Sequence, residues 1–384
     1  MSSHLAWVVV FALCAALLAY VYAGYPLLAR ALAGARRRRV AAAPITPAVT
    51  VLIAAYNEAG HIVETVRNKL AQAYPADRLE VIVVSDGSDD GTDELVRGLG
   101  DPRVRLLRQA PRAGKTSGLN LAVPHARGEV LAFADANSLW APDALARLVE
   151  PLADPAVGYV TGRMVYRAPD GSLTGEGCSA YMRYENALRA WETACGSIVG
   201  VDGGIDAVRR ELYAPMRPDQ LPDFVLPLTV RERGLRVVYA PAALLYEDAL
   251  AAAGDEFRMR VRVSLRALHA LRDKAALLDP ARFGLFAWQL FSHKVLRYLA
   301  PLFQAGALAA GAVLAWGPWS PWKLVFAAQL LFYLMAWMGH LRRDEGSPRL
   351  FALAYYLCLV NAASAVALGR FARGQRQVTW QPRT

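Results

Sequence analysis

Apolar runs and helical stripes alternate along this chain, and the alternation changes character twice. Near the start, residues 5–29 hold no charged side chain. At ~1.5 Å per residue such a helix crosses a hydrocarbon core of ~30 Å. From residue 49 short β-rich runs take over. Residues 49–56 end in Asn57 and Glu58, residues 81–84 run into DGSDDGT, residues 104–107 form a brief run, and residues 130–134 stop at Asp135-Ala136-Asn137. Between them lie stretches with helical spacing: residues 60–73 with Ile62, Val66 and Leu70, then 92–99, 114–123 and a segment from Pro142. Strands alternating with helices of this length predict right-handed βαβ units and a mostly parallel sheet. The unbroken apolar run 130–134 predicts a strand buried on both faces. Its carboxyl end delivers Asp135 to the rim where open α/β sheets hold ligands.

Past residue 157 the alternation weakens. β-like runs cover 157–165, helical spacing covers 181–193, and a glycine-rich stretch, GSIVGVDGGIDAVRRELY, follows at 196–213. Asp219 and Asp223 precede the apolar residues 224–228, and residues 236–239 read as a late strand. Residues 255–278 read as a long amphipathic helix. One side carries Arg258, Arg262 and Arg266 with Arg260 beside them, and the other carries Phe257, Val261, Leu265 and Leu268. It is suited to lying along a membrane or to capping a cleft. Thereafter the chain is apolar again, with an interfacial helix expected at 283–292 and spanning candidates at 295–315, 324–338 and 350–368. GPWSPW, residues 317–322, reads as a hairpin with interfacial tryptophans, and HLRRDEGSPR, residues 340–349, as a cytoplasmic loop.

Composition sharpens the membrane reading. The chain is 55% hydrophobic with a formal charge of +10, and Arg36 to Arg39 supply four of those charges in one block. Residues 5–29 are too long for a signal peptide and lack a charged leader, so a retained anchor is expected. The arginines after it place the next segment in the cytoplasm and the amino terminus outside. The same rule conflicts with three carboxyl-terminal spans. They would carry Arg370, Arg373 and Arg376 outside, so one segment is expected to be re-entrant or interfacial, and Asn361 and Ser364 make the last a candidate. No aromatic–basic motif accompanies the arginine block, so no nucleic-acid partner is expected. The four cysteines, Cys14, Cys178, Cys195 and Cys358, form no CxxC pair. That argues against a zinc site or disulfide framework and suits a reducing compartment.

The polar ends of the runs carry the candidate chemistry. DGSDDGT is either a strand–helix turn in which Asp89 or Asp90 caps the helix, or a site where Asp86 hydrogen-bonds a nucleotide. Lys115 in RAGKTSGLN is either a solvated helix-start lysine or a phosphate ligand. Asp135 either caps its own loop or holds a divalent metal. Taken in order, VLIAAYNE, DGSDDGT, the RAGKTSGLN lysine and the ADAN strand end, with AVRREL and LPDF later, resemble the family 2 glycosyltransferases. These are GT-A fold enzymes that include cellulose, chitin and hyaluronan synthases, and the resemblance covers residues 49–271.

That resemblance implies roles. Ala55, Tyr56 and Glu58 are expected to line the nucleotide pocket, Asp86 to contact base and ribose, and Lys115 to sit nearby. Asp135 takes the first position of the family's DxD motif. Asn137 takes the third, where an aspartate usually helps ligate Mg²⁺ or Mn²⁺; its carbonyl oxygen can ligate but brings no charge. Asp223 matches the catalytic base, ahead of Asp219. MRVRVSLRAL stands where the family has QxxRW, and Arg262 with Arg266, one turn apart, can grip a diphosphate or form a basic membrane-facing side.

The expected architecture is an α/β GT-A domain over residues 45–278, between a transmembrane anchor (1–33) and an interfacial helix with transmembrane helices (279–384). The expected activity is inverting transfer from a nucleotide-diphosphate sugar, taken as a UDP-sugar, to a polysaccharide or lipid-linked acceptor. It is placed at the cytoplasmic face of the inner membrane, in a multi-pass protein open to homo-oligomer or polysaccharide-assembly partners. The alternative is a non-catalytic membrane subunit that binds nucleotide sugar or glycan.

Overall fold

The computed structural model describes residues 3–167, 173–248, 253–316, 321–342 and 348–379; the side chains of 166–167, 173–180, 248 and 253–255 are not described. The side chain of Cys178, most of the GPWSPW stretch and the centre of the HLRRDEGSPR stretch therefore lie outside what is described.

Eight strands form one sheet: β1 (Val49–Ala55), β2 (Leu79–Ser85), β3 (Val104–Arg108), β4 (Val130–Asp135), β5 (Leu139–Trp140), β6 (Val157–Arg167), β7 (Ile205–Arg209) and β8 (Arg236–Asp248). Their order is β3-β2-β1-β4-β7-β6-β8-β5. The first four are parallel neighbours, as the βαβ alternation predicts. β1, β2 and β4 are apolar because helices cover both faces of the sheet. Val51, Ile53, Val81 and Val83 pack on one side, and Leu52, Ile82, Val84 and Leu131 on the other.

The register sets the site. Ala54 pairs with Asp135, and Ala55 with Ser85, so the polar residues after β1, β2 and β4 emerge at one level. β7 runs antiparallel to β4, with Ile205 opposite Ala134. An antiparallel strand brings its beginning, not its end, to the rim where β4 finishes. That carries Gly203 and Gly204 to Asp135.

Two parts of the sheet depart from the sequence reading. The stretch 196–213 contains β7, whose Asp206 and Arg209 hide the apolar signature of a central strand. The run 236–239 continues to Asp248 through Pro241, because the pairing with β6 slips between Thr161 and Arg163, where Pro is tolerated.

At the membrane end, three helices are long and apolar enough to span: Ser3–Arg36, Trp322–Leu341 and Arg349–Ala372. The Leu296–Leu314 helix packs along the first of these, with Cys14 against Gly306. The stretch expected as one helix at 283–292 is broken by Gly284, at φ 52°, and then adopts a π turn at Phe291–Val295. Arg236 ties the domain to the anchor by donating to the carbonyls of Arg38, Arg39 and Gly196. The Arg349–Ala372 helix runs beside the Ala253–Asp273 helix. Tyr356 meets Glu256 and Arg260 at one end, and Phe371 meets His269 and Arg272 at the other. The tail beyond it docks on the domain: Gln375 accepts from His269, and Arg376 pairs with Asp219. The described cysteines, Cys14, Cys195 and Cys358, are free.

Asp206 in β7 is fully buried, and burial, joined by the charges of Asp202 and Asp223, pushes its carboxyl up to about 7. A raised acid pKa opposes folding once the unfolded carboxyl ionises, so the penalty is absent below pH ~4 and full above pH ~7. Asp206→Asn should therefore raise the melting temperature at pH 8 relative to wild type, by up to about 4 kcal/mol of stability, and lose that advantage at pH 4. Melting curves of both proteins in one detergent at the two pH values check it.

Candidate active site

The rim gathers residues from five parts of the chain. Asp135 ends β4, and its Oδ1 accepts from Lys115 Nζ at 2.6 Å. Lys115 opens the Lys115–Ala122 helix. Burial works against its charge, but the carboxylates of Asp135, Asp223 and Asp206 outweigh it and hold the lysine above its ordinary value. Asp223 stands in the first turn of the Pro222–Glu232 helix. A Cβ on Gly203 would lie 2.5 Å from Asp223 Oδ2, and one on Gly204 would lie 3.5 Å from Asp135 Oδ2. The glycine pair is thus the backbone wall between the two carboxylates. Arg262 completes the group: burial lowers its pKa, against the pull of Asp223 and Asp135. Neither Asp223 nor Arg262 has a hydrogen bond or ion pair among the described residues.

Beside this cluster lies a second pocket wall. Asp86, 1% exposed, accepts from the backbone N–H of Ala113 at 2.8 Å and of Gly114 at 3.1 Å, and from the Gln109 amide. It therefore holds the loop that leads into Lys115. Arg112 from that loop lies 3.4 Å over the ring of Tyr56. Ala55 is buried, and its carbonyl accepts from the Asp86 N–H. Glu58 donates its N–H to Thr92. Asn57, at φ 53°, exchanges hydrogen bonds with Asp89. The loops after β1 and β2 are laced into one rigid edge, with the flat Tyr56–Arg112 pair beside it.

The predicted residues divide by what they touch. Asp135, Asp223, Lys115 and Arg262 come together, with the partly exposed Asn137 two residues past the strand end. Arg266, 5% exposed, turns its donors to the carbonyls of Asp219 and Gln220 and to Thr116, so it braces the loop ahead of Asp223. Asp219 is occupied by Arg217 and Arg376.

Sequence reasoning passed over Lys69 and the Gly203–Gly204 pair. Lys69 is fully buried and donates to the carbonyl of Ser138 at 2.6 Å, 4.8 Å from the centre of the Trp140 ring. Burial lowers its pKa to about 7, against the pull of Asp135. It supports the loop that carries Asn137. A lysine on the Ile62–Val66 side of a helix was a signal for it, and a glycine doublet ahead of a strand was a signal for the wall.

Residues 50–213 match the model of glycosyl transferase family 2. A beta-monoglucosyldiacylglycerol synthase from Trichormus variabilis is 30% identical over 169 residues, 43% of this chain and 36% of that protein. A poly-beta-1,6-N-acetyl-D-glucosamine synthase from Staphylococcus aureus is 25% identical over 245 residues, 62% of this chain and 59% of that protein. The chain thus spans between 36% and 59% of the length of these two curated relatives. The structure superposes on the mannosyltransferase PcManGT from Pyrobaculum calidifontis, solved with GDP-Man and Mn²⁺, at a TM-score of 0.72 and 28% identity, covering 93% of this chain and 99% of that one. Residues 50–213 are thus similar to the family 2 glycosyltransferases, and the fold is GT-A.

The glycine wall makes a sharp prediction. Gly203, at φ 87°, faces Asp223, whereas Gly234, at φ 86°, has open space around its Cβ position. Either alanine should cost about 1–2 kcal/mol of backbone strain. Only Gly203→Ala should also displace the carboxylate and lower sugar transfer by about 100-fold. Melting and transfer assays on the pair separate the two effects.

Proposed function

We propose that the protein is an inverting glycosyltransferase that moves a sugar from a nucleoside-diphosphate donor to an acceptor hydroxyl at the cytoplasmic face of the membrane. The carrying observation is the facing of Asp223 and Asp135 across Gly203–Gly204, with Lys115 and Arg262 beside them. Asp223 has no hydrogen bond or ion pair among the described residues, which suits a group that must accept a proton. A subunit that only binds nucleotide sugar needs no such base.

The donor's nucleoside rests in this reading against Tyr56, Arg112 and the laced loops, which leads its diphosphate toward Lys115 and Asp135. A divalent cation fits the donor set there. Asp135 offers a 36%-exposed carboxylate and Asn137 an amide oxygen, both hard ligands suited to Mg²⁺ or Mn²⁺. Two protein oxygens suit an ion held mainly by the diphosphate, and when bound it adds positive charge beside the leaving group. Asp223 takes the proton from the acceptor hydroxyl as the oxygen attacks the anomeric carbon. The bond to the diphosphate breaks on the opposite face, and Lys115 and Arg262 neutralise the charge that leaves. A single displacement inverts the anomeric centre. Arg266 and Asp86 act by positioning the loops that carry Asp223 and Lys115.

The membrane layout follows from the docked tail. Arg376 pairs with Asp219 of the domain, so the end of the described chain lies on the domain's side. The Ala253–Asp273 helix is too charged to enter the bilayer, and the Arg349–Ala372 helix lies alongside it. We therefore read that last helix as lying at the membrane surface, while Ser3–Arg36, Leu296–Leu314 and Trp322–Leu341 cross. This keeps Arg370, Arg373 and Arg376 inside and satisfies the charge rule. The acceptor, a glycan or a lipid-linked glycan, reaches Asp223 from the membrane side.

Asp223→Asn should lower transfer by about 10²–10⁴-fold while nucleoside-diphosphate binding persists. The product should show the inverted anomeric configuration by NMR. Full activity in the variant, or a retained configuration, would rule out this mechanism. Asn137→Asp should lower the Mg²⁺ or Mn²⁺ concentration needed for half-maximal donor binding.

A further inference from the structure

A cavity of 270 Å³ lies where the first apolar helix meets the domain. Arg36, Arg38, Arg231, Arg236, Phe286 and Gln289 line it. Its arginines come from distant parts of the chain. Arg36 ends the Ser3–Arg36 helix and Arg38 follows it, Arg231 stands in the last turn of the Pro222–Glu232 helix, and Arg236 opens β8. Asp223 is in the first turn of that same Pro222–Glu232 helix, about 12 Å from Arg231 along the axis. The cavity is therefore separate from the rim.

Positive charge collects there with little to balance it. Among the described residues, the one ion pair these four arginines make is Arg236 with Asp154, at 3.8 Å. Arg236 spends its donors on the carbonyls of Arg38, Arg39, Thr193 and Gly196, so it brings the cavity mainly charge. Burial, and then the charge of Arg38, pull both Arg231 and Arg236 below the ordinary guanidinium pKa.

Two buried donors in the same lining have no partner among the described residues: Arg231 Nε and Gln289 Nε2. Gln289 is 1% exposed. Arg231 is held by a bond from its Nη1 to the Leu235 carbonyl at 3.2 Å, and its guanidinium lies 5.3 Å from the centre of the Phe286 ring. Its Nε remains over. Buried donors without acceptors are costly, and so are crowded like charges. One ligand relieves both: a compact oxyanion with several acceptor oxygens, and guanidinium groups match phosphate in shape and charge.

The position of the cavity identifies the carrier. The Ser3–Arg36 helix has 34 residues. At ~1.5 Å per residue it outruns a ~30 Å hydrocarbon core, so its last turn stands at headgroup depth. Phe286 and Gln289 belong to the Leu285–Leu290 helix, which leads through the π turn into the Leu296–Leu314 helix. Two of the walls are thus the places where the chain leaves and re-enters the apolar layer. Phosphate is concentrated at that depth, on the headgroups of anionic lipids.

We propose that this cavity holds the phosphate of an anionic membrane lipid, which seats the domain on the membrane by joining the end of the first helix to the Pro222–Glu232 helix. The inference rests on the membrane placement of the Ser3–Arg36 helix and is independent of the transfer reaction.

The test uses the full chain in detergent. It measures binding of radiolabelled dioleoyl phosphatidylglycerol and of dioleoylglycerol, which lacks the phosphate, with inorganic phosphate as competitor. Wild type should bind phosphatidylglycerol roughly tenfold or more tightly than dioleoylglycerol. Arg231→Gln and Arg38→Gln should each lose most of that preference. Arg37→Gln removes an equal charge from a side chain outside the lining and should keep it. Arg38 is exposed, so Arg38→Gln tests the cavity even where Arg231→Gln fails to fold. Equal binding of the two lipids by wild type overturns the proposal. So does an unchanged preference in Arg38→Gln and Arg231→Gln whose melting curves show them folded. An equal fall in Arg37→Gln and Arg38→Gln traces the binding to the basic block as a whole and also overturns the site. Competition by inorganic phosphate at the lipid's own concentration points to a soluble anion and overturns the lipid part. Alkaline carbonate extraction of membranes holding the full chain separates the two readings. Release of the protein overturns the membrane placement itself, whereas retained protein without the lipid preference loses only the site.

Discussion

The closeness of Asp135 and Asp223 across a two-glycine wall is the constraint on which the rest of the site depends. Two carboxylates in a partly buried cleft repel each other unless positive charge is supplied. Lys115 and Arg262 supply it, and the raised pKa of Lys115 records that balance. The same arrangement is suited to a diphosphate and a metal, which exchange charge with these groups rather than adding an uncompensated excess. Backbone at Gly203 and Gly204 lets the carboxylates approach without a side chain between them.

Around this centre, several charged residues serve by holding backbone. Asp86 closes the loop ahead of Lys115, Arg266 ties down the segment ahead of Asp223, and Lys69 supports the turn after Asp135. Each is buried and hydrogen-bonded to main-chain groups, Asp86 as acceptor and Arg266 and Lys69 as donors. Such residues are costly to bury unless satisfied, and here their satisfaction fixes the positions of the rim groups, the Lys115–Asp135 pair and Asp223. The division is physical: buried and bonded side chains set geometry, and partly exposed ones such as Asp135, held by Lys115, and Asn137 stand at the rim.

The membrane end follows the same economy. The long basic helix and the last apolar helix lie side by side, joined by Tyr356 and Arg260 at one end and by Phe371 and Arg272 at the other. Each covers a face of its partner. The tail then returns to Asp219, close to the loop that Arg266 braces. Domain and apolar helices are thereby locked together on the side where Asp219 and the loop ahead of Asp223 lie.

Much of this was legible in the chain itself. Alternating strand and helix patterns, the carboxylates at strand ends and the uncharged stretch near the start are local features. They follow from which residues are apolar and how often they recur, and the parallel half of the sheet, Asp135 and Lys115 could be read from them. Tertiary structure alone decided the direction of β7, the meeting of Gly203 with Asp223, the turning of Arg266 away from the cleft and the pairing of the last helix with the basic one. Those depend on contacts between segments distant in sequence. A charged residue is the same letter whether its partner is a ligand, a carbonyl or the tail of the chain, and only packing chooses among them.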